Sequence, residues 1–192
     1  LPNLCEAVVK NERYFNDFSI FEEAQVFFDR NYTTPYDETE SLPEQRRHIG
    51  AAFASSVKNI DRLFRETKGV LEYMSRYTHM EALSFRKEEK PVWADQVVWL
   101  NVYRGEEKVG DMGLLAKKAS MECGIKNLSV MLVELDMEKL QLLKSRTNQF
   151  THLAAYPETD YDSSMLFDSN AAWTDIYDAV VGQQKARGLL ME

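Results

Sequence analysis

The run LSVMLVELDMEKLQLLK, residues 128–144, constrains the fold more than any other part of the chain. Its first half, LSVMLVEL, is rich in β-branched and apolar residues and predicts a strand over 128–135. The period then changes, and a helix is predicted from about Asp136 to Lys144. The junction carries Asp136, Glu138 and Lys139. Charges at a strand-to-helix junction admit two explanations. Asp136 can cap the helix by accepting a backbone N–H, with Glu138 at the positive end of the helix dipole and Lys144 at the other. Alternatively, the same groups belong to an active site.

Elements on either side follow from the same patterns. LPNLCEAVVKNERY (1–14) places Leu1, Leu4, Cys5, Val8 and Val9 on one helical stripe, with Pro2 suited to a first turn. FSIFEEAQVFF (18–28) predicts a strand. DRNYTTPYDETESLPEQ (29–45) is polar, carries Pro35 and Pro43, and predicts a long loop. RRHIGAAFASS (46–56) resumes an extended pattern. NIDRLFRETKGVLEYMSRY (59–77) predicts a helix buried along Ile60, Leu63, Phe64, Thr67, Val70, Leu71 and Met74. Gly69 lies inside it at a cost of ~1 kcal/mol relative to Ala, which a close backbone neighbour would explain.

QVVWLNVYRGEEKVGDMGLL (96–115) predicts a hairpin about the turn RGEE. LAKKASMEC is a short helix with Gly124 in the C′ position. Beyond SRTNQF, residues 156–168 predict a strand and 171–181 an amphipathic helix closed by Gly182. The fold class is α+β with a largely antiparallel sheet.

Few residues form a chemical pattern by spacing alone. His48, His79 and His152 lack the spacing of metal ligands. The glycines of GEEKVGDMG are hairpin glycines and do not match GxGxxG. Glu22 and Glu23 are adjacent and face opposite ways in a strand, poor geometry for paired carboxylate chemistry. Arg46 and Arg47 make either a solvated strand start or an anion contact. Cys5 and Cys123, the chain's two cysteines, are far apart in sequence and predict reduced thiols in a cytoplasmic protein, with a catalytic thiol as the lesser alternative. The ends, Leu1 and GLLME, suggest a segment of a longer polypeptide.

Charge narrows the function classes. The net charge is -8 over 192 residues. Phosphate contacts come from Lys and Arg, so nucleic acid is disfavoured as the main partner. No apolar run approaches the ~18 residues that span a membrane, and no signal-peptide pattern is present.

The order of the pieces resembles the β subunit of bacterial phenylalanyl-tRNA synthetase. The resemblance is carried by LPNLCEAVVKN, FNDFSIFEEAQVFF, LPEQRRHIGAAFA, FRETKGVLEYMSRY and EEKVGDMGLLAKKASMECGIKNLSVMLVELDMEKLQLLKSRTNQFTHLAAYP, in that order, over nearly the whole chain. It implies a class II synthetase-like, non-catalytic domain over 1–147, an antiparallel sheet flanked by helices. It implies the start of a ferredoxin-fold anticodon-binding module over 148–192. The first strand of that module would be 156–168, its first helix 171–181, and KARGLLME would begin its second strand.

The resemblance also implies what the site should contain. Class II chemistry joins a carboxylate to ATP and needs arginines to clamp phosphate and neutralise charge. In catalytic members one arginine ends the first strand of motif 2, and Phe28 stands at that position here. A second arginine opens the motif 3 helix after a glycine that lets ATP approach. Asp136 stands at the glycine position and Lys139 at the arginine position. Phe28 cannot bind phosphate, Asp136 would repel it, and Lys139 lacks the planar fork.

The expectation is therefore a catalytically inactive scaffold that holds no cofactor itself. The parent enzyme, a cytoplasmic heterotetrameric ligase, charges tRNA-Phe using ATP and Mg2+. The expected partners are the catalytic α subunit and, through the full-length β subunit, tRNA-Phe, with neither DNA nor membrane. One alternative is a tRNA-contacting RNA-binding module. Residues 151–192 speak against it with seven acidic groups and two basic ones, a net of -5. Another is a stand-alone enzyme with a pocket around Lys139, Glu134 and Glu22.

Overall fold

The computed structural model describes residues 1–34, 37–56, 60–142, 162, 164–168 and 171–186. The chain divides into two compact units, Leu1–Gln149 and Phe150–Glu192.

The first unit is built on a six-stranded, wholly antiparallel sheet. The strands are β1 (Asp17–Thr34), β2 (Asp37–Ser55), β3 (Leu83–Arg86), β4 (Ala94–Arg104), β5 (Glu107–Leu115) and β6 (Ser129–Asp136), in the order β1-β2-β6-β5-β4-β3. The helices are α1 (Pro2–Asn11), α2 (Ile60–Tyr77), α3 (Lys117–Cys123) and α4 (Met137–Leu142).

β6 explains its own composition. Met131, Val133 and Leu135 pack on one face with Leu63 and Leu71 of α2, Met112 of β5 and Leu140 of α4. Val130 and Leu132 pack on the other with Leu4, Cys5 and Val8 of α1 and Ala52 and Ala54 of β2. A strand covered on both faces has no position for a solvated polar residue until it leaves the core. Hence the near-continuous apolar run, interrupted by Glu134 and ended by Asp136.

Three expectations are corrected by the structure. Residues 29–34 and 37–45 are strand, not loop. The β1–β2 pairing continues from Phe27↔Gln45 through Asn31↔Pro43 and Tyr32↔Leu42 to Thr34↔Asp37. Backbone pairing needs no apolar side chains. Pro43 sits beside a register shift between Phe27 and Asn31, where a missing N–H is tolerated. Val70 is exposed, so the buried stripe of α2 is Leu63, Thr67, Leu71 and Ser75. Nothing lies within 4 Å of a Cβ built on Gly69, so no close neighbour accounts for that glycine.

The close approach falls at Gly110 instead. A Cβ there would stand 2.1 Å from the Glu134 carbonyl oxygen and 3.0 Å from Leu135 Cα. β5 and β6 reach their register (Gly110↔Leu135) only because Gly110 has no side chain. β3, which the sequence patterns did not predict, completes the far edge beside β4. α3 ends as expected, with Gly124 left-handed at φ 86°.

In the second unit α5 spans Trp173–Ala186 and runs through Gly182, which therefore does not close it. Asp162 and residues 164–168 are not strand, contrary to the expected first strand of a ferredoxin-like piece. Residues 156–161, 163 and 187–192, and the predicted end of the 136–144 helix beyond Leu142, lie outside the described residues. Among the described residues no helix is long and apolar enough to cross a membrane.

Candidate functional site

The strand-to-helix junction at Asp136 gathers a connected set of polar side chains from β2, β6 and the start of α4. β2 and β6 pair with His48 opposite Asp136 and Gly50 opposite Glu134. With side chains alternating along each strand, Arg46 and His48 of β2 and Glu134 and Asp136 of β6 share one face. It is the face covered farther along by α1, whose Leu4 Cδ1 would lie 2.8 Å from a Cβ on Gly50.

Asp136 uses both carboxylate oxygens. Oδ1 accepts the backbone N–H groups of Glu138 (3.0 Å) and Lys139 (3.1 Å), the donors a helix start leaves without partners. Oδ2 accepts Nη1 of Arg46 at 2.9 Å. Burial pushes the Asp136 carboxyl upward, but the Lys139 N–H and the Arg46 guanidinium outweigh it and hold the group below its ordinary value. Asp136 and then Glu44, whose Oε1 lies 2.6 Å from Arg46 Nε, raise the Arg46 pKa in turn. The guanidinium lies 5.8 Å from the Phe28 ring centroid. The Phe28 ring is 5.9 Å from that of His48.

Beside this pair, His48 Nδ1 is 3.1 Å from Glu134 Oε1, and His48 is the first cause of a lowered Glu134 pKa. His48 Nε2 is buried without a hydrogen-bond partner. Arg47 points the other way, to Gln141 at 3.0 Å and Glu23 at 3.4 Å. Arg46 thus makes the anion contact, with an anion of the chain itself, while Arg47 is the exposed strand residue.

The far end of α4 is also held. Arg104, 3% exposed, donates Nη1 to the Leu140 carbonyl at 2.9 Å, a cation on the carbonyl end of the helix. The Lys139 amine donates to the Lys108 carbonyl of β5 at 2.8 Å and lies 3.7 Å from Glu107 Oε1.

Of the three positions singled out from the sequence, Phe28 and Asp136 therefore converge on Arg46. Lys139 joins them only through its backbone N–H, its side chain being fastened to β5. Of the alternative cluster, Glu22 and Glu134 share a face, each paired with Gly50 between them, but Glu134 is engaged by His48 and the Lys139 amine is fastened to Lys108, so the lysine does not join the two carboxylates. Sequence reasoning missed Arg46 and His48 as partners of Asp136 and Glu134. The residues are 90 and 86 positions apart, and only the β2–β6 register brings them together. Among the described residues no group of three or more His, Cys, Asp or Glu could hold a metal ion. His79 lines a surface hollow of about 700 Å³ with Tyr73, Arg76 and Tyr77 of α2, apart from the Asp136 cluster.

Chemically, the arrangement neutralises and immobilises. Arg46, Arg47 and Lys139 each contact a carboxylate within the chain, and the first amides of α4 are occupied by Asp136.

Comparison with known proteins gives three findings. The model of the family described as phenylalanyl tRNA synthetase beta chain CLM domain matches residues 1–137. The crystal structure of pyrrolysyl-tRNA synthetase from Desulfitobacterium hafniense is similar, with a TM-score of 0.56 at 12% identity, over 73% of this chain and 47% of that one. A second structure, PylSc of the same organism, a pyrrolysyl tRNA synthetase, gives 0.49 at 15% identity over the same shares. At such identities the likeness concerns fold alone. The chain spans about half the length of the solved structures it matches. No curated protein matches it in sequence. The α+β fold is that of a class II synthetase-like domain, an antiparallel sheet flanked by helices.

Proposed function

The chain belongs to the phenylalanyl tRNA synthetase beta chain family, and we propose that residues 1–147 serve as its non-catalytic scaffold. In this role they pack against the catalytic α subunit and support the charging of tRNA-Phe by a cytoplasmic heterotetramer, while binding neither ATP nor Mg2+ themselves.

The observation that supports this reading is the Arg46–Asp136 pair. A nucleotide-binding class II site needs cations aimed at phosphate and a small residue where the adenine approaches. Here Asp136 presents a charge of the same sign as phosphate and occupies the helix amides. Arg46 is already held by two carboxylates. Phe28 offers a ring under that guanidinium and no donor. The residues present do not fit ATP and Mg2+, and no step of adenylate chemistry is assigned to them. What remains is a sheet-and-helix body with packed cores on both faces of β6.

Partner packing is supported by α2. Val70, Tyr73 and Tyr77, at three- and four-residue spacing, are 49%, 64% and 74% exposed, and the two tyrosine rings stack at 5.9 Å. A stripe of that kind suits an interface better than water. Co-expression with a catalytic α subunit tests the proposal. Stable association is expected. If the α subunit binds a full-length β chain but not one carrying polar substitutions along this stripe, the stripe is the contact. If it binds full-length β undiminished after residues 1–147 are deleted, the scaffold role fails.

A further inference from the structure

The two cysteines, 118 positions apart in sequence, lie on helices that pack together in the fold. α1 and α3 pack side by side. Cys5 of α1 lies in the same apolar cluster as Ala119 and Ile125, which stand on either side of Cys123 in the chain. The Glu12 carboxylate, at the end of α1, accepts the N–H groups of Lys126 (3.1 Å to Oε1) and Asn127 (2.7 Å). This clamp fixes α1 against the segment that follows α3. Ala119, one helical turn before Cys123, faces the cluster that holds Cys5, so α3 turns Cys123 toward α1, near enough for the Cys123 thiol to help raise the Cys5 pKa. The two thiols differ sharply in access, Cys5 being buried and Cys123 exposed as the last residue of α3.

We propose that Cys5 and Cys123 form a peroxide-responsive pair, in which Cys123 is oxidised first and Cys5 resolves it into an intramolecular disulfide joining α1 to α3. Hydrogen peroxide is the oxidant. The Cys123 thiolate attacks one peroxide oxygen, forming an S–O bond as the O–O bond breaks, and the departing hydroxide takes a proton to become water. The Cys5 sulfur then attacks the sulfenic sulfur. An S–S bond forms, the S–O bond breaks, and the hydroxide leaves as water with the Cys5 proton. Two thiols lose two electrons and one peroxide becomes two waters.

The asymmetry fixes the order of events. Burial, with the neighbouring Cys123, pushes the Cys5 thiol up to about 11, so Cys5 stays protonated and is shielded from solvent oxidants. Cys123 is where an oxidant arrives, and the second thiol lies on the helix packed against its own.

The test treats the native chain with hydrogen peroxide, blocks remaining thiols, and reads intact mass and non-reduced peptide maps. The expected result is a monomer that has lost two hydrogens and both free thiols, with the Cys5 and Cys123 peptides linked. Cys5→Ser should instead accumulate a dimedone-trappable sulfenic acid on Cys123, and Cys123→Ser should leave Cys5 unmodified. Should Cys5→Ser fold poorly, the peptide map of the native chain is decisive without it. Sulfinic acid on Cys123 with Cys5 still free, a dimer linked through Cys123, or a Cys123 that does not react would each overturn the proposal.

Discussion

Arg46 and Asp136 lie on neighbouring strands, 90 positions apart in sequence, with Nη1 and Oδ2 separated by 2.9 Å. The other oxygen of the same carboxylate starts helix α4. One side chain therefore joins a sheet register to a helix terminus. Asp136→Ala should destabilise the first unit by about 2–3 kcal/mol. Loss of the cap accounts for ~1 kcal/mol, and the rest comes from leaving a guanidinium, 28% exposed, without its main partner. Arg46→Met should cost less than about 1.5 kcal/mol, since Asp136 keeps the backbone N–H partners of its other oxygen. Urea unfolding of both single variants and the double variant gives the coupling, expected at about 1 kcal/mol.

Acid should weaken the same junction. Asp136 and Glu134 have folded pKa values below their ordinary ones. Their contribution is present in full above the unfolded-state value near ~4, and is lost as the pH falls through the lower folded values. Stability measured between pH 6 and pH 2.5 (about the range over which carboxylates titrate) should fall at the acid end. The fall should be shallower in an Asp136→Asn, Glu134→Gln chain. An unchanged slope would show that other carboxylates dominate.

The glycines should separate cleanly. Gly110→Ala forces a Cβ onto the Glu134 carbonyl and should cost more than ~2 kcal/mol, shifting the β5–β6 register or unfolding the unit. Gly69→Ala meets nothing and should stabilise by roughly 0.5–1 kcal/mol. Thermal melts of the two variants moving in the same direction would contradict the packing described for both sites.

The exposed tyrosines should matter for assembly and not for folding. Tyr73→Ser with Tyr77→Ser should leave the melting temperature nearly unchanged, as surface substitutions do, within about 0.5 kcal/mol each. The pair should weaken capture of a catalytic α subunit by at least tenfold, as expected for exposed aromatic anchors worth ~1.4 kcal/mol or more. A binding measurement on the paired variants decides it.

Local signals carried much of the fold. Helical spacing predicted α1 and α2, alternation and the RGEE turn predicted the β4–β5 hairpin, and the period change at Asp136 located the end of β6 and the start of α4. What failed was the inference from polarity to loop. The 29–45 segment pairs by backbone alone, and composition does not record that. The capping role of Asp136 was legible because it is local, three residues from its farther donor. Its ion pair was not, because nothing in the sequence states that residue 48 faces residue 136. The same limit hid the packing of α1 on α3, which brings Cys5 and Cys123 together, and the clamp from Glu12 to Asn127.

Calorimetric titration of the chain with ATP and Mg2+, beside a catalytic class II synthetase as positive control, tests the central claim most directly. The Arg46–Asp136 pair, with Phe28 and the capped start of α4, predicts no saturable heat. Saturable binding to this chain that disappears in Arg46→Met or Lys139→Met would mean that these cations are available to phosphate, and would contradict the account.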